Sequence, residues 1–134
     1  MIPEIFQFND QVLGLKDQDR PLQPLTFKDG EHEFMLKALN EEIAEYTEGF
    51  EKQDIVTMVD SLLDLCYFAI GGLRRMGLTQ NEACSCFLAI HLANMTKKKG
   101  TNAKRGDFAD DAVKPESFRP PDEVIRNLLL RNKA

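Results

Sequence analysis

The sequence predicts an all-α fold, a four-helix-bundle-like arrangement that assembles into an oligomer. Three observations carry that prediction. Apolar residues recur at helical spacing over three long stretches. Gly, Pro and capping signals punctuate those stretches where helices would end. No run shows convincing strand alternation. A length of 134 residues suits one domain around one core, with 43% hydrophobic and 29% charged residues arguing against disorder.

The elements follow in order. Residues 3–15 carry Phe6, Phe8, Val12, Leu13 and Leu15 and predict a short helix. Residues 16–30 hold Pro21, Pro24, Asp29 and Gly30 and read as a loop. From Glu31 to about Gln53, the positions Met35, Leu39, Ile43, Tyr46 and Phe50 step by three or four along one helical stripe. A second long helix is expected from about Asp54 to Met76, stopped by Gly77. Thr79 and Glu82 form a T-x-x-E capping box for a third, expected to reach about Lys98 before Gly100. Residues 101–120 lack periodicity and are expected to form a mobile loop. Pro120 and Pro121 precede a final helix over 121–132 with Val124, Ile125, Leu128 and Leu129. The bundle core is thus placed at about 31–100, within one domain spanning 1–134.

Composition narrows the function. A net charge of −5 disfavours a general nucleic-acid binder, so no nucleic-acid partner is expected. Cys66, Cys84 and Cys86 sit in apolar helical patterns without framework spacing, which reads as reduced thiols in a cytoplasmic protein, host cytoplasm if viral. With only His32 and His91 as imidazoles, zinc is a poor fit. The opening residues lack a secretory pattern, and no stretch approaches the apolar length of a membrane span.

The acidic residues are the informative ones. From Leu62 to Ile70 the second long helix is apolar all round except for Asp64. Such a segment belongs in the bundle interior or at a subunit interface, and its excess apolar surface predicts a homodimer or homotetramer. Asp60 and Ser61 stand one turn earlier, giving a narrow polar stripe with Asp64. An ionised carboxylate in apolar surroundings needs a partner or a metal. On the preceding helix Glu41, Glu42 and Glu45 cluster, with Glu42 about 60° from Leu39 at the edge of the apolar stripe and Glu45 about 60° further round. Taken alone, each group has an ordinary structural explanation: an aspartate bonded to a lysine or hydroxyl, and a solvated helix face. Facing one another across antiparallel helices, they would repel unless a hard cation joined them. All-oxygen ligation suits Mg²⁺, or Mn²⁺, better than zinc. Asn94, Lys97 and Lys98 share a helix face suited to polyphosphate, although cations at a helix C-terminus also complement the macrodipole.

In this order, Glu41-Glu42-x-x-Glu45, Asp60-x-x-x-Asp64 and Asn94-Met95-Thr96-Lys97 resemble the all-α NTP pyrophosphohydrolase superfamily, which includes MazG, the phosphoribosyl-ATP pyrophosphohydrolases and the dimeric dUTPases. The resemblance runs over about residues 31–122. Val59 to Leu65, Tyr67 and the segment Phe118-Arg119-Pro120-Pro121-Asp122 look like the phage-type MazG-like branch. It implies Mg²⁺-dependent hydrolysis of a (d)NTP to (d)NMP and diphosphate, with two or more ions per site. Carried over, E-x-x-E then E-x-x-D makes Glu42, Glu45 and Asp64 metal ligands and puts Ser61 at the fourth position. Asp60, one residue earlier, is its expected substitute. Glu42 and Glu41 are the expected catalytic pair, with Glu41 orienting water. Asn94, Lys97 and Lys98 would hold phosphate or sugar, and Phe8, Asn9, Gln11 and Tyr67 would bind the base. The loop at 101–120 would serve as a lid. Alternatives are a base-specific dUTPase, dCTPase or dGTP diphosphohydrolase, and a non-catalytic helical interaction module. Phosphoribosyl-ATP hydrolysis is disfavoured, because both ends of the chain look phage-type.

Overall fold

The computed structural model describes residues 1–22 and 27–130; Pro24 of the expected loop and residues 131–132 of the expected last helix lie outside that range. Its helices are α1 (Ile2–Gln11), α2 (Glu31–Glu51), α3 (Ile55–Arg75), α4 (Gln80–Asn94) and α5 (Asp122–Leu130). Single 3₁₀ turns occupy Leu15–Asp17 and Ala103–Arg105. The all-α expectation holds, with two corrections. Strands β1 (Lys98–Gly100) and β2 (Asp111–Val113) pair antiparallel, placing Lys98 opposite Val113 and Lys99 opposite Ala112. Three residues are too few to show alternation, and the partner lies a dozen residues away, so pattern reading missed them. Helix α4 correspondingly ends at Asn94, four residues before Lys98, because the chain turns there: the Lys97 N–H donates to the Asn94 carbonyl at 3.0 Å. The expected structureless segment therefore holds a strand and a helical turn, with Arg105 forked on Asp111 at 2.6 and 3.0 Å.

The chain divides into two compact units, Met1–Gln80 and Asn81–Ala134. The first is built on the α2–α3 hairpin, with α1 packed on α3. Only Lys52, Gln53 and Asp54 join the two long helices, which makes them antiparallel neighbours. Gln53 takes a left-handed φ of 55° to reverse the chain. Asp54 then caps α3, accepting from the backbone N–H of Val56 at 3.1 Å and Thr57 at 3.2 Å.

The seam between α2 and α3 is small and polar rather than greasy. On α2 the buried residues are Glu31, Ala38, Glu42 and Gly49; on α3 they are Ser61, Gly71 and Gly72. A Cβ on Gly49 would stand 3.1 Å from side-chain carbons of both Thr57 and Met58, a measure of how closely the backbones approach. Glu42 is thus central on the buried face, whereas the sequence placed it at the margin of the apolar stripe. The reason is that Ile43 and Phe50, which helped define that stripe, point outward and are 51% and 64% exposed.

Helix α3 also departs from expectation. With 21 residues and a mean hydropathy of 1.5 in its apolar window, it is long and apolar enough to cross a membrane by length and composition. From the sequence no uninterrupted apolar stretch of that length is expected, and Asp60 and Asp64 do interrupt this one. Burial inside the bundle does not account for this apolarity, because Ile55, Val56, Val59, Leu62 and Leu63 all stay exposed.

The far end of the first unit is tied by an ion cluster. Arg20 grips Glu31 through two guanidinium nitrogens, each at 2.9 Å, and also donates to the Arg75 carbonyl at 3.0 Å. Arg75 donates to the same Glu31 carboxylate. Burial alone would raise the pKa of Glu31, but hydrogen bonds from Arg20, the Lys28 backbone and Arg75 bring it down to about 2. Gly77 ends the α3 turn at φ 101°, where a Cβ would lie 2.5 Å from the Arg20 carbonyl oxygen.

Candidate active site

Three of the four expected metal ligands, Glu45, Asp60 and Asp64, lie near enough to the fourth, Glu42, for their charges to act on it. Glu42 is 9% exposed, and its Oε2 has no hydrogen-bond partner among the described residues. Its pKa is raised, first by burial, then by the nearby charges of Glu45, Asp64 and Asp60, and by a hydrogen bond shared with Glu45. Helix geometry explains the grouping. Glu45 lies about 60° round α2 from Glu42, and Asp64 about 60° round α3 from Ser61, so both flank the seam. Asp64 is half-buried there, while Glu45 and Asp60 are exposed and reach in from its edges. Ser61 sits on the seam itself, 1% exposed, and its Oγ too has no hydrogen-bond partner among the described residues. Glu41 is exposed on α2.

This donor set is all oxygen, and an orphaned buried carboxylate oxygen lies at its centre, which suits a hard divalent cation. Among the described residues, no three His, Cys, Asp or Glu side chains are already drawn together to hold one. Ligation would therefore require rotation of the carboxylates about Glu42.

A cavity of about 360 Å³ opens beside the carboxylates. Glu42 and Asp64 form its acidic wall, and Phe8, Leu13, Phe34, Met35, Tyr67 and Phe68 its apolar one. Phe8 and Tyr67 meet edge to face at 5.5 Å. Asn9, only 3% exposed, also lines it; its Nδ2 donates to the Ile5 carbonyl at 2.8 Å, and Gly71 lets it approach, since a Cβ there would be 3.1 Å from Nδ2. Of the expected base-binding residues, the structure brings Phe8, Asn9 and Tyr67 together; Gln11 is exposed and does not line the cavity.

Sequence reasoning missed Arg75 and Phe34. Arg75 also lines the cavity, its guanidinium 5.3 Å from the Phe34 ring centroid while bridging to Glu31. A faint signal was present: Arg75 follows Phe68 by seven residues, hence on the same face, and closes a helix otherwise poor in cations. Asn94, Lys97 and Lys98 belong to the second unit. Asn94 is the exposed last residue of α4, Lys98 opens β1, and Lys97 rests on the Phe118 ring at 5.5 Å.

A comparison with protein families gives a match over residues 8–93 to the model described as phosphoribosyl-ATP pyrophosphohydrolase. The chain belongs to the phosphoribosyl-ATP pyrophosphohydrolase family. That family lies within the MazG-like all-α NTP pyrophosphohydrolase superfamily, so the resemblance read from the sequence holds. Its members are divalent-metal-dependent hydrolases of a phosphoanhydride in nucleotide-like substrates. The match takes in α2, α3, the carboxylates and the cavity, and ends one residue before Asn94. No curated protein matches the chain.

Proposed function

We propose that this pyrophosphohydrolase cuts (d)NTPs between the α- and β-phosphates in nucleotide-pool control. One observation supports this above the rest: the acidic cluster centred on Glu42 borders a ring-lined cavity of about 360 Å³. The two halves of a nucleotide, flat base and charged phosphate, would find matching surroundings there.

Glu42, Glu45, Asp60 and Asp64 would hold Mg²⁺ or Mn²⁺, two or more ions per site. Such ions, when bound, supply an acidified water and offset phosphate charge. Glu42 has the further role of base. Its Oε2, which has no hydrogen-bond partner among the described residues, would accept the proton of the attacking water. The water oxygen bonds to the α-phosphorus, the α–β bridging P–O bond breaks, and diphosphate leaves with that electron pair. Glu41 would steady the outer side of the cluster and orient water. Phe8 and Tyr67 would stack on the base, Asn9 would hydrogen-bond its edge, and Gln11 would act at the cavity margin. Asn94, Lys97 and Lys98 are proposed as phosphate contacts, and the 101–120 segment as a lid. The exposed apolar face of α3, from Ile55 to Leu63, supports a homodimer or homotetramer in the cytoplasm.

The test is a screen of (d)NTPs with Mg²⁺, resolving diphosphate from orthophosphate, on wild type and Asp64→Asn. Diphosphate release that falls at least about 100-fold in the folded variant is expected. Orthophosphate as direct product would refute α–β cleavage. Including phosphoribosyl-ATP tests a second reading favoured by the family match itself: its dominance in kcat/KM would make this a histidine-pathway type of activity.

A further inference from the structure

Within the first unit, α3 carries two consecutive glycines, Gly71 and Gly72, both buried. Glycine is a poorer helix former than any residue but proline, so a position without a side chain inside a helix needs a reason from packing. Gly71 has one already, the seat of the Asn9 amide. Gly72 has a different one. A Cβ there would stand 2.2 Å from Cε and 2.7 Å from Sδ of Met35, far inside the 3.4 Å at which ordinary contact begins. Apart from its chain neighbours and the local backbone of α3, no other atom of the described residues would lie within 4 Å of it. The contrast with Gly49 is informative. There the added carbon would also meet the Met58 backbone nitrogen at 3.2 Å, so that glycine serves the approach of two backbones. Gly72 serves the tip of one flexible side chain.

Met35 is half-buried and lines the cavity, two turns along α2 from Glu42, just as Gly72 lies two turns along α3 from Asp64. At ~1.5 Å per residue both stand about 10–12 Å from the carboxylates along the helix axes. A nucleotide with its phosphates at the carboxylates would thus present the far edge of its base to Met35. We propose that Gly72 sets the size of base this site accepts: by letting the Met35 thioether rest on α3, it keeps the remote end of the cavity open to a purine. A side chain at position 72 would lift that thioether into the cavity, the open volume beside it, and leave depth for a pyrimidine only. Met35 is then the residue that touches the base, and Gly72 positions it. The inference rests on the proposed nucleotide site, in which neither residue yet had a role.

The experiment measures binding of dGMP and dCMP to the full chain by calorimetry in a chelator, together with kcat and KM for dGTP and dCTP with Mg²⁺. Wild type should bind dGMP more tightly than dCMP. Gly72→Ala should weaken dGMP binding about tenfold, leave dCMP within about twofold, and act on KM rather than kcat. Its melting temperature should not fall, because alanine favours the helix and only the end of Met35 has to move. Adding Met35→Ala to Gly72→Ala removes the displaced tip and should restore the wild-type ratio of dGMP to dCMP affinity. A ratio unchanged by Gly72→Ala, a ratio not restored in the double variant, or a wild type that binds dCMP at least as tightly as dGMP, or binds neither, would each overturn the proposal. A Gly72→Ala chain that no longer folds overturns it too, since the thioether is then not free to yield. Asp64→Asn keeps the two readings apart: it should abolish turnover and preserve the dGMP to dCMP ratio. Orthophosphate as the direct product, with the ratios as expected, would refute α–β cleavage and leave the size assignment standing; diphosphate release with a ratio insensitive to position 72 would do the reverse.

Discussion

Replacing Glu31 by Gln should cost the protein much of its folding stability. The native carboxylate is held at a pKa of about 2 against an ordinary 4.5. That gap is worth roughly 3 kcal/mol at neutral pH. The structure supports a figure of that size, since the Arg20 side chain is 3% exposed and would lose both of its bonds to a charged acceptor. Leaving a buried cation unpaired costs on the order of 3–5 kcal/mol. For a chain of this length, about 3 kcal/mol lowers the melting temperature by roughly 10 °C. The pH dependence gives a sharper check. A carboxylate with a depressed folded pKa contributes fully above its unfolded value of 4.5 and loses that contribution as pH falls through about 2. Urea unfolding of wild type and Glu31→Gln should therefore show a large difference at pH 7 that shrinks steadily below pH 4.5. A difference under about 1 kcal/mol at pH 7, or one that stays constant down to pH 2, would refute the argument.

Other substitutions probe the cavity and the turn. Glu42→Gln should abolish turnover yet raise the melting temperature in chelator at pH 7, because it removes the charge that burial and its acidic neighbours oppose. The raised pKa of Glu42 makes metal-free wild type lose stability as pH climbs from 4.5 through that higher value, and the variant should lack this loss in thermal melts. Tyr67→Ala should raise the KM for the preferred nucleotide about tenfold with little change in melting temperature, since the ring is 38% exposed; an unchanged KM would remove it from the base pocket. Gly77→Ala should destabilise by more than about 1 kcal/mol in urea titrations, because φ is 101° and the added methyl would meet the Arg20 carbonyl.

Sequence periodicity located the helices because it depends only on local spacing. Asp54 and Gly77 marked real boundaries, whereas Gly100, expected to stop the third long helix, instead ends β1 six residues beyond α4. Rotation about a helix axis is harder to read, and Glu42 shows why. Ile43 and Phe50 drew the inferred stripe toward themselves, although Ala38, Glu42 and Gly49 are what α3 covers. Small residues contribute little to a hydrophobic pattern but permit the closest approach of two backbones. The carboxylate grouping was legible because acids in apolar stretches are costly and therefore informative. Arg75 was not, since its partners Glu31 and Phe34 come from another helix and its position beside them depends on the hairpin. The β1–β2 pairing was hidden for a similar reason, being only three residues long and nonlocal.

The contact between Asn9 and Gly71 has a practical corollary. It makes the leading helix part of the floor and rim of the cavity, a chamber that Phe8 and Leu13 also line. Shortening the chain from its front would unroof that chamber rather than trim a dispensable tail. Affinity handles for purification are better fused at the opposite end, and a loss of activity after front-end tagging would report on the chamber before it reported on the fold.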